Sequence, residues 1–341
     1  MTKKNNFPSE KHGLSSSTKK SMVTRIISAI VMILLVVPAI FLGDWIYFGL
    51  ASLCLAVACY EILGCAGKRT ILIYVIYLLF VAAIAYWPLF KGVVRAGIVN
   101  NGTVDIYFTS ICLPITITVV GFFLLFLLTV IYKDFSVVDA SFLLTMGIVI
   151  GLGFQGLFYL RYIPINLFGF ENHVFDYNLD NTVRSSLLLL FIVFSTVMTD
   201  TGAYFVGVFF GKNKMNERIS PKKTWEGFVG GVVISSVLTT AVGITFAVCG
   251  YPIIPLFDLE HWYFILPLAL LTPLVATLGD FVFSSIKRYW GIKDYGHLIP
   301  GHGGVLDRLD SIFFAVTIGS IYVFMITGIS SATINWESLL V

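Results

Sequence analysis

The feature that most constrains this chain is a succession of long apolar runs, separated by short polar segments, along almost its whole length. The runs begin near Arg25, Trp45, Ile71, Phe108, Ser141, Leu187, Phe228, Tyr263 and Leu309. Most extend for about 20 to 24 residues, enough helix to cross about 30 Å of hydrocarbon with some tilt. Inside lipid every backbone N–H and C=O must be satisfied internally, so an apolar segment of this length can only be a helix. The expected fold is an all-α polytopic membrane bundle of about nine transmembrane helices. Composition agrees. Only 12% of the 341 residues are charged and 57% are hydrophobic, whereas soluble domains carry about 25% charged residues. Such a chain could not cover its surface with polar groups in water, and 30 Phe, 16 Tyr and 6 Trp are too many for a disordered one. A net charge of +3 gives no reason to expect a nucleic-acid partner.

Residues 1–23 are polar and lysine-bearing, and read as a disordered basic arm. The run that follows is too long for a signal-peptide core and should remain as the first membrane helix. Residues 24–180 then form an amino-terminal transmembrane region of about five helices, and residues 181–341 a carboxyl-terminal region of about four. With the arm in the cytoplasm, all but Lys91, Arg95, Arg161 and Arg184 of the 22 Lys and Arg fall on inner segments, a bias that sets topology. The amino terminus is therefore expected inside, and the tail near Trp336 and Glu337 outside. Pro38, Pro114 and Pro273 fall within runs, where neighbouring helices can satisfy the freed carbonyls. Gly147/Gly151, Gly207/Gly211 and Gly227/Gly231 allow close helix approach, and permit a homodimer through helix packing. The cysteines (Cys54, Cys59, Cys65, Cys112, Cys249) form no CxxC pair and read as apolar fillers.

Two inner loops, GKNKMNERISPKKTWEG and KRYWGIKDYGHLIPGHGGVLDRLD, hold most of the polar chemistry. Asp200 falls near the middle of the sixth run, and Asp280 about two turns from the inner end of the eighth. An unpaired carboxylate at such depth costs about 2.5–3.5 kcal/mol on insertion scales, so both should face the bundle interior or a cavity. Ser284 and Lys287 share a helix face with Asp280. The plainer alternative is an internal salt bridge, or a hydrogen bond to a Thr or Tyr on a facing helix. Asp307 supplies a second carboxylate at the same membrane face. Two such hard oxygen ligands suit Mg²⁺, which completes its shell with water and substrate phosphates. Gly301, Gly303 and Gly304 could offer successive amides to an anion, although glycines also simply make turns, and Asp310 could cap the ninth helix. Ser220, Lys222, Lys223 and Thr224 directly precede a helix. The lysines can hold phosphate as point charges, or merely anchor the loop at the membrane surface, the commoner role of Lys there. His302 reads as a loop hydrogen-bonder or phosphate donor, because no second His stands near it at ligand spacing. No GxxxxGK[ST], HExxH or GxSxG is present, which removes the P-loop, zinc-protease and serine-hydrolase readings. Asn101-Gly-Thr103 is a glycosylation sequon of little weight.

The stretch Ser284–Asp310, SSIKRYWGIKDYGHLIPGHGGVLDRLD, resembles the signature of the phosphatidate cytidylyltransferase (CDP-diacylglycerol synthase) family. The matching positions are Ser284, Lys287, Arg288, Lys293, Asp294, Gly296, Pro300, His302, Gly303, Gly304, Asp307, Arg308 and Asp310. DTGAYFVGVFFGK and ISPKKTWEG are similar to the family as well; before Asp200 the likeness is one of hydrophobic spans only.

The resemblance implies transfer of the cytidylyl group of CTP to phosphatidic acid, giving CDP-diacylglycerol and pyrophosphate in phospholipid biosynthesis. It implies a cell (inner) membrane location, with the site facing the cytoplasm and CTP, phosphatidic acid and membrane lipids as partners. By the same resemblance Asp280 and Asp307 would form the Mg²⁺ centre, a two-metal arrangement that leaves room for a monovalent cation. Asp200 would contribute less directly. Lys222, Lys223, Lys287 and Arg288 would hold phosphates, with Ser220, Ser284, His302, Gly303 and Gly304 completing the pocket. Arg308 would pair with Asp310 or touch pyrophosphate. Two other readings stand beside this one: a CTP-dependent polyprenol or phytol kinase, which releases CDP, and an ion-coupled transporter using Asp200 and Asp280 as a relay.

Overall fold

The computed structural model describes residues 16–87, 89, 113–162, 179–254 and 257–331. Residues 1–15 of the basic arm, the start of the fourth run near Phe108, Lys91, Arg95, the sequon at Asn101, Cys112, Trp336 and Glu337 lie outside them. Among the described residues the apolar runs are nine α-helices: α1 (Ser16–Leu42), α2 (Asp44–Cys65), α3 (Ile71–Ala85), α4 (Leu113–Ile131), α5 (Val137–Tyr162), α6 (Leu179–Phe210), α7 (Trp225–Val248), α8 (Ile265–Tyr289) and α9 (Leu306–Ser331). A short antiparallel hairpin, β1 (Lys214–Asn216) and β2 (Ser220–Thr224), joins α6 to α7. The protein is an all-α polytopic membrane protein.

Helix α1 begins at Ser16, inside the segment read as arm. Once the apolar run has nucleated a helix, extending it through good helix formers such as Lys19, Lys20 and Met22 costs little. Among the described residues seven helices are long and apolar enough to cross a membrane: Val23–Leu42, Trp45–Cys65, Val137–Tyr162, Val183–Phe210, Trp225–Val248, Trp262–Tyr289 and Leu306–Ile326. The other two described helices are shorter. α3 has 15 residues, a rise of only about 22 Å, and the apolar part of α4 is Ile115–Ile131. α3 is bounded by Gly67, held at φ 69°, and by Tyr86 at its C-cap, with Pro88 following two positions later in the sequence. Pro38 and Pro273 lie inside helices, whereas Pro114 stands in the first described turn of α4.

The glycine pairs work within the chain. A Cβ on Gly227 would press on the Ala203 carbonyl, and one on Gly231 on the Thr199 carbonyl, so α6 and α7 cross with their backbones nearly touching. Gly147 and Gly151 of α5 admit Tyr77, Phe80 and Ile84 of α3. These glycine faces are covered within the chain.

Polar contacts show that the helices alternate in direction. At one end, Arg161 near the end of α5 donates to the Ile40 carbonyl of α1 at 2.8 Å and to Ser185 of α6 at 2.9 Å. At the same end Arg184 lies over the Tyr251 ring, 4.5 Å from its centre. At the other end, Lys68 after α2 pairs with Asp139 of α5 at 3.3 Å, and Phe142 of α5 meets Trp290 after α8, ring centres 5.2 Å apart. Between the ends runs an aromatic column, Phe154–Phe313–Phe283–Tyr295, with successive centres 5.1, 6.4 and 5.9 Å apart. It ties α5, α9 and α8 to the loop that carries the signature residues.

Candidate active site

The signature loop is shaped by its glycines. Gly291 at φ 65° lets the chain leave α8 through backbone bonds from Gly291 to the Arg288 carbonyl and from Ile292 to the Lys287 carbonyl, a common helix ending. Gly301 and Gly303, at φ 75° and 89°, close a tight turn bridged by Ile299 and Gly303. This turn corrects one expectation. The amides of His302 and Gly303 donate to the Ile299 carbonyl, and that of Gly304 to Asp307 Oδ2 at 2.9 Å. They are engaged inside the protein and do not form a row of free donors for an anion.

Asp307 stands in the first turn of α9 and is 7% exposed. Its Oδ2 also accepts from the Tyr295 amide at 2.8 Å, while Oδ1 faces Lys287 Nζ at 3.0 Å. The same ammonium lies 3.9 Å from Asp310 Oδ2, so Lys287 spans two carboxylates. Asp310 is thus a member of the cluster inside α9, and not the helix cap. On α8, Asp280 accepts from Ser284 Oγ at 3.2 Å through Oδ1 and forms an ion pair through Oδ2 with Lys223 of β2. Asp200 lies within electrostatic reach of Asp280, Asp310, Lys223 and Arg308. Among the described residues it makes no hydrogen bond, and it opens onto a cavity of about 470 Å³. Lys214, Lys222, Lys223 and Thr224 line that cavity on the hairpin side, and Tyr204, Val208, Phe228 and Thr277 on the helix side.

The hairpin is pinned from both sides. Asn216 Oδ1 accepts from the Arg218 and Ile219 amides at 3.1 Å each, closing the turn. Thr224 caps α7 by accepting from the Gly227 amide at 3.1 Å, and Glu226 binds the Lys212 and Asn213 amides. Lys222 and Lys223 are therefore presented by a fixed ribbon, Lys222 to solvent and the cavity and Lys223 to Asp280.

Asp200, Lys223, Asp280, Ser284, Lys287, Asp307 and Asp310 thus gather in one cluster, with Lys222 at the cavity wall. Other expected residues stand elsewhere. Arg288 is exposed and its Nε donates to the Ile219 carbonyl at 3.3 Å, strapping the hairpin to α8. His302 meets Ser28 of α1 at 2.7 Å through Nδ1. Burial, then Arg308 and Arg25, hold its imidazole below the ordinary histidine range, so it is neutral at physiological pH. Ser220 lies at the start of β2, opposite Asn216, and Arg308 is exposed.

The donor chemistry fits a hard divalent cation in part. Among the described residues no three His, Cys, Asp or Glu side chains form a ready-made metal site. Yet four carboxylates face two clustered lysines, and Mg²⁺ is ordinarily held through one or two carboxylates plus waters and substrate phosphates. Asp280 and Asp307 Oδ1 would be the oxygens available to such a cation, now facing lysines, whereas Asp307 Oδ2 already holds two amides.

One participant was missed in the sequence. Glu61 of α2 is buried, and its carboxylate binds the amides of Val305 and Leu306 at 3.0 and 2.9 Å. The depth argument applied to Asp200 and Asp280 would have picked it out, since it too is a lone carboxylate in an apolar run.

A model of the Cytidylyltransferase family matches residues 23–326. The phosphatidate cytidylyltransferase of Staphylococcus saprophyticus is 33% identical over 205 residues, 60% of this chain and 67% of that protein. The enzyme of the same name from Staphylococcus haemolyticus is 35% identical over 199 residues, 57% of this chain and 63% of that protein. The one from Bacillus subtilis is 42% identical over 131 residues, 38% of this chain and 45% of that protein. The matches thus span from under half to two thirds of these relatives' lengths.

Proposed function

The chain belongs to the cytidylyltransferase family, and from that premise we propose that it joins CTP to phosphatidic acid, giving CDP-diacylglycerol and pyrophosphate for phospholipid synthesis. An oxygen of the lipid phosphate attacks the α-phosphorus of CTP. The new P–O bond forms as the bond to the β-phosphate oxygen breaks, and the electron pair leaves with pyrophosphate. A phosphate monoester has its second pKa near about 6, so the attacking group is largely ionised at neutral pH and needs no strong base. The difficulty is bringing two anions together, and positioning with charge neutralisation dominates such transfers.

The observation that carries this reading is the cluster of Asp200, Asp280, Asp307 and Asp310 against Lys223 and Lys287, beside a cavity walled by Asp200, Lys222, Lys223 and apolar side chains. Lys222 and Lys223 hold phosphate oxygens, and Lys287 keeps Asp307 and Asp310 together until substrate arrives. Asp280 and Asp307 would hold Mg²⁺, as part of a two-metal arrangement. When bound, the metal supplies charge neutralisation and orientation of the phosphate oxygens. Tyr204, Val208 and Phe228 give the cavity wall an apolar side suited to a substrate whose tails stay in lipid. The protein is multi-pass. The bacterial relatives favour the inner membrane, and the concentration of Lys and Arg on the loops at the site end favours a cytoplasmic site.

The test is direct. Purified protein in detergent or nanodiscs receives labelled CTP, phosphatidic acid and Mg²⁺, and the products are resolved. Pyrophosphate with a CDP-lipid is expected, lost when EDTA removes the metal. Release of CDP with a polyprenol acceptor would replace the reading by a kinase, and CTP-independent flux in sealed vesicles by a transporter.

A further inference from the structure

Glu61 stands one turn from the end of α2, at the negative end of that helix's dipole, where a carboxylate gains nothing from its own helix. Its partners lie 244 and 245 residues away in sequence. Oε1 accepts the Val305 amide at 3.0 Å and Oε2 the Leu306 amide at 2.9 Å. Both amides belong to the amino end of α9, among the donors that a helix leaves without intrahelical acceptors. The site is closed around the carboxylate. Glu61 is 4% exposed, and a Cβ on either Gly296 or Gly304 would strike it. Gly304 is not among the positive-φ glycines, so the missing side chain there serves room for Glu61 and not backbone freedom.

We propose that Glu61 is a positioning residue for the active site: from a different helix it caps the amino end of α9 and thereby sets the direction of the Asp307 carboxylate. The connection is short. With Val305 and Leu306 held, the preceding Gly304 amide meets Asp307 Oδ2, the Tyr295 amide meets the same oxygen, and Oδ1 is left to face Lys287. Freed from Glu61, the Gly304–Asp307 turn can rotate, and the oxygen offered to metal or substrate moves with it. The amino-terminal helices thus reach the chemistry through one carboxylate.

The kinetic arm rests on the proposed cytidylyl transfer; the structural arm does not. Full-length wild type, Glu61→Gln, Glu61→Asp and Gly304→Ala are compared by kcat, KM for CTP, and hydrogen–deuterium exchange of peptides covering residues 302–308, measured without metal or substrate. Glu61→Gln keeps the shape but turns an NH₂ towards a backbone donor. It should lower kcat per folded molecule by about 10- to 100-fold, the usual effect of removing a group that orients a ligand. KM should stay within about twofold, and the 302–308 peptides should exchange faster. Gly304→Ala should reproduce this split, and Glu61→Asp, which keeps the charge, should recover part of the rate. Wild-type kcat per folded molecule in Glu61→Gln, or unchanged exchange, overturns the proposal. If wild type itself forms no CDP-lipid, the functional reading fails, while faster exchange in Glu61→Gln still supports the anchoring of α9 by Glu61.

Discussion

At one end of the bundle, the buried guanidinium of Arg161 donates to the Ile40 carbonyl and the Ser185 hydroxyl, and Ser186 donates to the same carbonyl at 2.9 Å. At the other end, Asp280, Asp307 and Asp310 meet the ammonium groups of Lys223 and Lys287. The first arrangement ties α1, α5 and α6 together by hydrogen bonds. In the second, each of these three carboxylates faces an ammonium on a flexible side chain able to exchange its partner for a phosphate or a cation. Carboxylates that face movable counter-ions are where chemistry can enter.

This contrast can be broken by substitution, beginning with the acid cluster. Asp280→Asn and Asp307→Asn should each lower Mg²⁺-dependent CDP-lipid formation by at least about 100-fold, the scale of losing a major electrostatic group in catalysis. Both proteins should still insert and fold, as judged by size-exclusion profile. Turnover near that of wild type in either would remove that aspartate from the metal assignment. Arg161→Met should do the opposite. It removes two buried hydrogen bonds from a charged donor at a cost of about 1–3 kcal/mol, so Tm should fall while kcat per folded molecule stays within twofold. A selective loss of kcat would erase the distinction between the two ends.

Smaller effects sharpen the comparison. Lys222→Ala should raise KM for a phosphate-bearing substrate by about three- to tenfold with little change in kcat, since this exposed lysine binds as a point charge; unchanged KM would leave it a membrane-surface anchor. Lys68→Ala, which leaves the buried Asp139 carboxylate only its bonds from Ser136, should lower stability by about 1–3 kcal/mol in thermal unfolding and leave kinetics untouched.

The positions of the helices were legible because hydrocarbon allows long apolar segments little choice of form. Asp200 and Asp280 were legible for the same reason, as carboxylates at a depth where they are costly. Partnerships were not. Lys287, on the same helix face as Asp280, turns to Asp307 and Asp310 instead, and Asp280 takes Lys223 from a hairpin that helical periodicity could not reveal. The glycine loop looked like an anion cradle because its residues could form one, but its amides chose the nearest carbonyl and carboxylate. Glu61 was open to the same depth argument, but its partners were not, since they lie 244 and 245 residues further along the chain.

By itself, the order of residues decided that this protein lives in lipid, where its helices run, and which acids and bases concentrate at one face, because hydrophobic transfer and the expense of bare charge depend on local composition. Only the packed bundle decided which acid meets which base, which amides are already satisfied, and that α2 holds the first turn of α9. Those choices are made by distances of about 3 Å between segments far apart in the chain, and hydrogen bonds and ion pairs at that range depend on geometry that no single segment contains.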